Sequence, residues 1–260
     1  MGKNLGGKFL RIRAQKKLFM VCILVIIGSV FSLLINYKNT GVFMGINKKL
    51  PIYCVDTKDK KISISFDVSL GNTEHTKEIL DILDKYKIKA TFFVVGDWVN
   101  KYPDMLKQIS ERGNELGNHS NRHPDMTQLS KDKILEDINV NEAKIRNITG
   151  TGTKLFRFPA GSYNDEAVSV VESSGYKCIQ WNVDSVDWME KGSDIEYKKV
   201  IENTEPGSIL LFHSSAKYTP ENLPKIIETL ENKGYKFVTV GDLIYKDNYK
   251  IDQSGKQVKD

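Results

Sequence analysis

Cysteine is scarce in this chain. Three cysteines in 260 residues exclude a scaffold stapled by disulfides. Internal repeats are absent, which excludes solenoid and propeller architectures built on a short period. A mean hydropathy of −0.36 excludes a polytopic membrane protein. Acidic residues are missing from one place only. Residues 1–17 carry six basic side chains (Lys3, Lys8, Arg11, Arg13, Lys16 and Lys17) and no carboxylate. They account for the net charge of +5, because the other 32 basic residues face 33 acidic ones. The body is therefore near neutral, and the charge is no argument for a nucleic-acid partner. What is present is globular composition, with 40% hydrophobic and 27% charged residues.

The one long uncharged run follows the basic arm, from Leu18 to Ile35. Its eighteen residues, as a helix, span about 27 Å, close to a hydrocarbon core of about 30 Å. A cleaved signal would be shorter and end in small residues, whereas this run ends Leu33-Leu34-Ile35-Asn36-Tyr37. The reading is an uncleaved single-pass anchor at 18–35, with the arm 1–17 cytoplasmic and the C-terminal body outside the cell membrane. That topology keeps the basic arm away from the body and again argues against nucleic acid. Residues 36–59 read as a stalk, 60–243 as one domain, and 244–260 as a polar tail, frayed from Asp247. Cys54 and Cys178 both lie in the exported part and could pair. Cys178, however, sits in an apolar alternating segment, where a buried thiol is the common case.

From residue 61 a strand-like run followed by a helical pattern recurs several times. Strands are expected at 61–67, 89–96, 115–119, 154–158, 176–183, 207–212 and 236–240. Ile79, Leu80, Ile82 and Leu83 show helical spacing, Pro103 opens another helix, and Ser130 caps a long one through Ile148. This alternation implies a parallel sheet. Seven strands in about 180 residues suit a closed or nearly closed (β/α) barrel better than an open sheet, here preceded by one transmembrane helix.

In such barrels chemistry sits at the C-terminal ends of the strands. Asp67 ends the first strand, His119 follows the third, and Arg157 ends the fourth. Asp184 and Asp187 follow the fifth, and His213 ends the sixth. Of only four histidines, His119, His123 and His213 fall at these ends, and His75 follows the first strand shortly after. His119 and His123, four apart, suit a divalent metal if a helical turn presents them together. They could equally be solvated loop residues. Asp67 could merely cap its loop, and His213 could be a satisfied core histidine. Together they fit metal-assisted hydrolysis of an amide or ester, with a carboxylate base and a histidine acid.

The residues Ser65-Phe66-Asp67-Val68-Ser69, His119 to Pro124, Arg157-Phe158-Pro159-Ala160-Gly161, Asp184-Ser185-Val186-Asp187-Trp188 and Leu211-Phe212-His213 stand in a telling order. It resembles the five motifs of the polysaccharide deacetylases, carbohydrate esterase family 4 with its NodB homology domain, and this resemblance implies a distorted (β/α) barrel of the NodB type. The branch it looks most like is the sporulation-type, PdaB-like one. The resemblance implies Asp67 as catalytic base, Arg157 as its partner, Asp187 as the carboxylate orienting His213, and His213 as general acid. It implies His119 and His123 as ligands of a divalent metal, usually zinc, alternatively cobalt, manganese or nickel. Ala160 would supply an oxyanion N–H, and Trp188 and Leu211 would wall the acetyl pocket. Tyr163 and Trp181 are further candidates for a sugar groove, Trp181 equally for the core.

One motif departs. The family has a second aspartate, a metal ligand, where this chain has Val68. Glu74 or His75, on the following loop, could supply the third ligand. Ala160 stands where a large aromatic is usual. The expected function is a monomeric, membrane-anchored, metal-dependent N-deacetylase of N-acetylated cell-wall glycan. The alternative is a glycan-binding or spore- and wall-assembly protein on the same fold.

Overall fold

A computed structural model describes residues 48–260. The basic arm, the apolar stretch 18–35 and the stalk up to residue 47 lie outside the described residues. Among the described residues no helix is long and apolar enough to cross a membrane.

The chain enters as β1 (Cys54–Val55) and β2 (Lys61–Val68), then α1 (Thr76–Lys85), β3 (Thr91–Val94), α2 (Gly96–Lys101) and α3 (Pro103–Glu111). β4 (Glu115–Asn118), α4 (Lys131–Thr149), β5 (Leu155–Phe156), α5 (Asp165–Ser173), β6 (Lys177–Cys178) and β7 (Val183–Asp184) follow. The rest is α6 (Ser193–Asn203), β8 (Ile209–His213), α7 (Thr219–Asn232), β9 (Lys236–Phe237), α8 (Val240–Leu243), β10 (Tyr249–Ile251) and β11 (Lys256–Lys259). Eight strands form a parallel sheet in the order β6-β5-β4-β3-β2-β8-β7, with β9 beside the start of β2.

β2 is the centre of this sheet, and its alternation decides what faces where. Ile62, Ile64, Phe66 and Val68 join the large apolar cluster shared with α1, α3 and α7. The rings of Phe92 and Phe212 flank Phe66 at 5.0 and 5.8 Å. Ser63, Ser65 and Asp67, one residue out of phase, belong to the opposite face, as a period of two requires. They are buried as well, so the inside of the curled sheet holds polar groups that must find partners.

The expected strand at 176–183 is broken. β6 and β7 lie at opposite edges of the sheet, and residues 179–182 join them. The chain itself bridges the seam, so the fold is a curled half-barrel of the (β/α) type rather than a closed ladder. Ile52 enters that seam, donating to the Cys178 carbonyl at 2.8 Å and accepting from the Gln180 N–H at 2.7 Å.

Two expectations at the ends of the domain are corrected. The stalk was expected to run to residue 59, yet Ile52, Cys54 and Val55 are buried and β1 is a strand. The tail expected to fray from Asp247 forms the β10–β11 hairpin, which β1 joins to make a second, three-stranded sheet. Gln257 anchors it, its side chain bonding both the N–H and the carbonyl of Tyr245. Polar composition concealed a hairpin whose partner lies two hundred residues away. Where β1 passes Gly207, a Cβ would stand 1.9 Å from the Val55 carbonyl oxygen, so only glycine fits. Cys54 and Cys178 are both free and buried. Burial pushes the Cys54 thiol up to about 11 and that of Cys178 well above its ordinary value.

Candidate active site

Parallel register sets the central pair. Asp67 on β2 lies opposite His213 on β8, and opposite Phe93 on β3. Carboxylate and imidazole therefore occupy one rung at the C-terminal end of adjacent strands. A cavity of about 480 Å³ opens there, lined among others by Asp67, His119, His123, Ala160, Trp188 and His213. Leu211 also lines it, as do Ser69, Trp181 and Asp184.

Asp67 is nearly buried, and its partners are cationic or polar. Arg157, fully buried, donates from Nη1 to Asp67 Oδ1 at 2.8 Å and from Nη2 to Ser65 Oγ at 2.9 Å. The guanidinium also lies 4.0 Å from the Phe93 ring centroid, an arrangement that holds the fork rigid. Burial alone would raise the Asp67 pKa. His119, when protonated, and the Arg157 guanidinium outweigh it and hold the carboxyl well below the usual range.

His119 follows β4 and is buried. Its Nδ1 lies 2.8 Å from the Arg157 carbonyl oxygen, which can only accept, so Nδ1 carries the proton. Nε2 then faces Asp67 Oδ2 at 3.3 Å. In the neutral tautomer both atoms present lone pairs to each other, a geometry that a cation between or beside them relieves. His123 reaches the same place by a different route from the expected helical turn. Residues 119–124 are irregular, and Ser120 and His123 have φ of 70° and 56°. The two rings meet edge to face with centroids 5.0 Å apart. Burial, then the charge of His119, lowers the His123 pKa to about 4, which keeps its ring neutral. This donor set fits a divalent ion held by His119 and His123.

The third-ligand position does not contribute. Val68 is fully buried in the apolar cluster on the helix side of β2. The structure does not bring Glu74 or His75 to the imidazole pair either. Glu74 caps α1, accepting from the Thr76 N–H at 2.8 Å, and its other oxygen accepts from Trp98 Nε1. His75 Nδ1 lies 3.4 Å from Glu78 and lines a neighbouring cleft that shares Trp188 and His213 with the cavity. Both side chains answer local demands, a helix start and an ion pair, which loop proximity in sequence could not reveal. Among the described residues no group of three or more histidine, cysteine or acidic side chains is placed to hold a metal.

The opposite wall is built around Asp187. Its Oδ1 accepts from Trp188 N–H at 2.8 Å and from His213 Nδ1 at 2.7 Å. Its Oδ2 accepts from His213 N–H at 2.7 Å and Thr219 Oγ1 at 2.9 Å. Burial would lower the His213 pKa, but the bond and charge of Asp187 raise it. The Asp187 carboxylate thus favours the protonated form of the His213 imidazole. Ala160 reaches the cavity in a left-handed turn, with φ of 51°.

The geometry places Tyr163 elsewhere. Its hydroxyl meets that of Tyr53 at 2.9 Å and its ring lies against Phe158, outside the cavity lining. Trp181 does line the cavity, with its ring centroid 5.5 Å from the Arg157 guanidinium. Asp184, noted at its strand end but given no role, lines it too, and its position at the end of β7 was the signal.

A family model for polysaccharide deacetylase matches residues 55–179. The peptidoglycan-N-acetylmuramic acid deacetylase PdaA of Bacillus subtilis is 32% identical over 210 residues, which are 79% of this chain and 80% of that one. The structure of B. subtilis PdaA, a family 4 carbohydrate esterase, superposes with a TM-score of 0.70 at 32% identity, covering 74% of this chain and 84% of that one. A family 4 pseudoenzyme from Bacillus anthracis superposes with a TM-score of 0.71 at 34% identity, covering 74% and 68%. A mutant of that pseudoenzyme has restored enzymatic activity.

Proposed function

The chain belongs to the polysaccharide deacetylase family, hydrolases of carbon–nitrogen bonds, and from that premise we propose that it removes acetyl groups from N-acetylated amino sugars of cell-wall peptidoglycan. The observation that carries this reading is the shared rung of Asp67 and His213, each with its own buried partner. Asp67, kept ionised by Arg157, takes the proton of the attacking water. The Ala160 N–H faces the oxyanion that forms. His213 gives its proton to the sugar nitrogen as the carbon–nitrogen bond breaks, leaving acetate and a free amine. Trp188 and Leu211 wall the space for the acetyl methyl. A divalent ion, zinc by family resemblance, when held by His119 and His123 supplies charge that polarises the acetyl carbonyl and acidifies a water.

Acetate release from purified peptidoglycan tests this reading. The full chain with added divalent metal should release acetate, and Asp67→Asn, His119→Ala and His213→Ala should each abolish most of it. Release that survives all three substitutions defeats the assignment.

A second reading draws on Val68. Catalytic zinc generally has three protein ligands, and here the third position is an apolar side chain packed into the core. On this reading the protein binds glycan without efficient hydrolysis. Saturable glycan binding with no acetate released under any divalent metal would establish it. For location we propose a single-pass protein of the cell membrane, anchored by residues 18–35 with the domain outside. The support is the basic arm before an uncharged run. Recovery of the full chain in the soluble fraction would overturn it.

A further inference from the structure

Behind the His213–Asp187 pair lies an acid that no step above uses. Glu196, in the first turn of α6, is 2% exposed. Neither of its carboxyl oxygens reaches solvent or has a hydrogen-bond partner among the described residues. An ionised carboxylate in that position would be both desolvated and unpaired, whereas a neutral acid carries an O–H that can donate.

Its surroundings favour the neutral form. The titratable groups acting on it are Asp187, from the turn after β7, and Glu221, on α7, both acidic. Thr219 and Asn222, the neutral polar side chains beside it, favour the ionised form, but less than burial and Asp187 oppose it. Thr219 commits its single hydroxyl proton to Asp187 Oδ2 at 2.9 Å. Asn222 donates one Nδ2 hydrogen to the Ser193 carbonyl at 2.8 Å, and its second is not within hydrogen-bond reach of Glu196. Toward Glu196, Thr219 has only lone pairs to offer, so the two are complementary when Glu196 holds the proton. Burial, then the charge of Asp187, pushes the Glu196 pKa up to about 7.

We propose that Glu196 is a positioning residue for the His213 acid, a third acid that acts on the imidazole through Thr219 and Asp187. While Glu196 keeps its proton, Asp187, with smaller contributions from Asp67 and Asp184, is what favours His213 as imidazolium. When Glu196 ionises, a second negative charge stands behind Asp187, and the imidazolium is favoured further. His213 then stays protonated to higher pH than Asp187 alone would allow. The consequence for turnover rests on the deacetylase reading; the coupling between Glu196 and His213 does not.

The experiment is an NMR titration of the full chain, following the His213 imidazole and the Glu196 carboxyl, in the native protein and in Glu196→Gln. The native Glu196 carboxyl should titrate near neutrality. In Glu196→Gln the His213 midpoint should fall by about half a pH unit or more, and the alkaline limb of acetate release should move down with it. Superposable His213 curves in the two proteins overturn the proposal. So does a Glu196 carboxyl that titrates in the ordinary glutamate range, a result read on the native protein whether or not the variant folds. If the His213 midpoint moves while neither protein releases acetate, the coupling stands and the deacetylase reading falls.

Discussion

The site contains two aspartate–histidine pairs that differ in what surrounds them. Asp67 faces His119 Nε2 at 3.3 Å, while that ring donates its Nδ1–H to a backbone carbonyl. Asp187 faces His213 through Nδ1 at 2.7 Å, and His213 lines the cavity. Asp67 is also held by a buried guanidinium, so its charge is shared between Arg157 and His119. Asp187 has neutral donors and His213, so its charge is spent on the imidazole. One pair leaves a ring nitrogen beside a carboxylate where a metal ion suits the lone pairs; the other keeps a proton on its ring. On the proposed reading the same two residue types become a cation site and an acid because of their third neighbours.

The strongest way to break this contrast is to remove the chemistry on each side in turn. Asp67→Asn and His213→Ala should each lower acetate release by about 10²–10⁴-fold, the usual weight of a general base or acid. Comparable losses on both sides are expected, and a loss confined to one would mean the pairs do not act together. Next in size is Arg157→Met, which strands the Asp67 carboxylate in a buried place. It should reduce unfolding stability by about 3–5 kcal/mol in urea titration, and Asp67→Asn should cost a similar amount, because it strands the fully buried Arg157 guanidinium instead.

Metal binding separates the two pairs qualitatively. His119→Ala should remove saturable divalent-metal binding in calorimetry, and Asp187→Asn should leave it intact. A smaller effect concerns pH. His213 has a folded-state pKa raised above its unfolded value, so its stabilisation is fully present below the ordinary histidine range. That contribution is lost as pH rises through the folded-state value. In Asp187→Asn, Tm measured against pH should lose that slope, whereas Asp67→Asn should retain it. The smallest expected change is Thr219→Val, which deletes one of four bonds to Asp187 and should cost about 0.5–1.5 kcal/mol in stability.

Much of this was legible along the chain. Period-two alternation in β2 and the helical spacing of Ile79, Leu80 and Leu83 marked real elements, because each reports burial on one face. The strand-end rule located Asp67, His119, Arg157, Asp187 and His213, since parallel strands bring their C-terminal ends together. The misreadings share one cause. Glu74 and His75 sit on the right loop, but their side chains are claimed by α1, Trp98 and Glu78. The polar tail looked unable to fold alone, and it does not fold alone, because β11 pairs with β1. Glu196 carries no distinguishing mark in the sequence, and only burial beside α7 and the Asp187 turn makes it unusual.

By itself the sequence determined the alternation of strands and helices, the face on which each apolar side chain falls, and the set of reactive residues at the strand ends. These follow from local periodicity and from the few residue types able to transfer protons or bind metal. The tertiary structure alone decided which imidazole nitrogen faces which carboxylate, that Val68 lies in the core, and that a third acid stands behind His213. Those facts depend on side chains that meet across strands and helices far apart in the chain, and no local pattern encodes a distance of that kind.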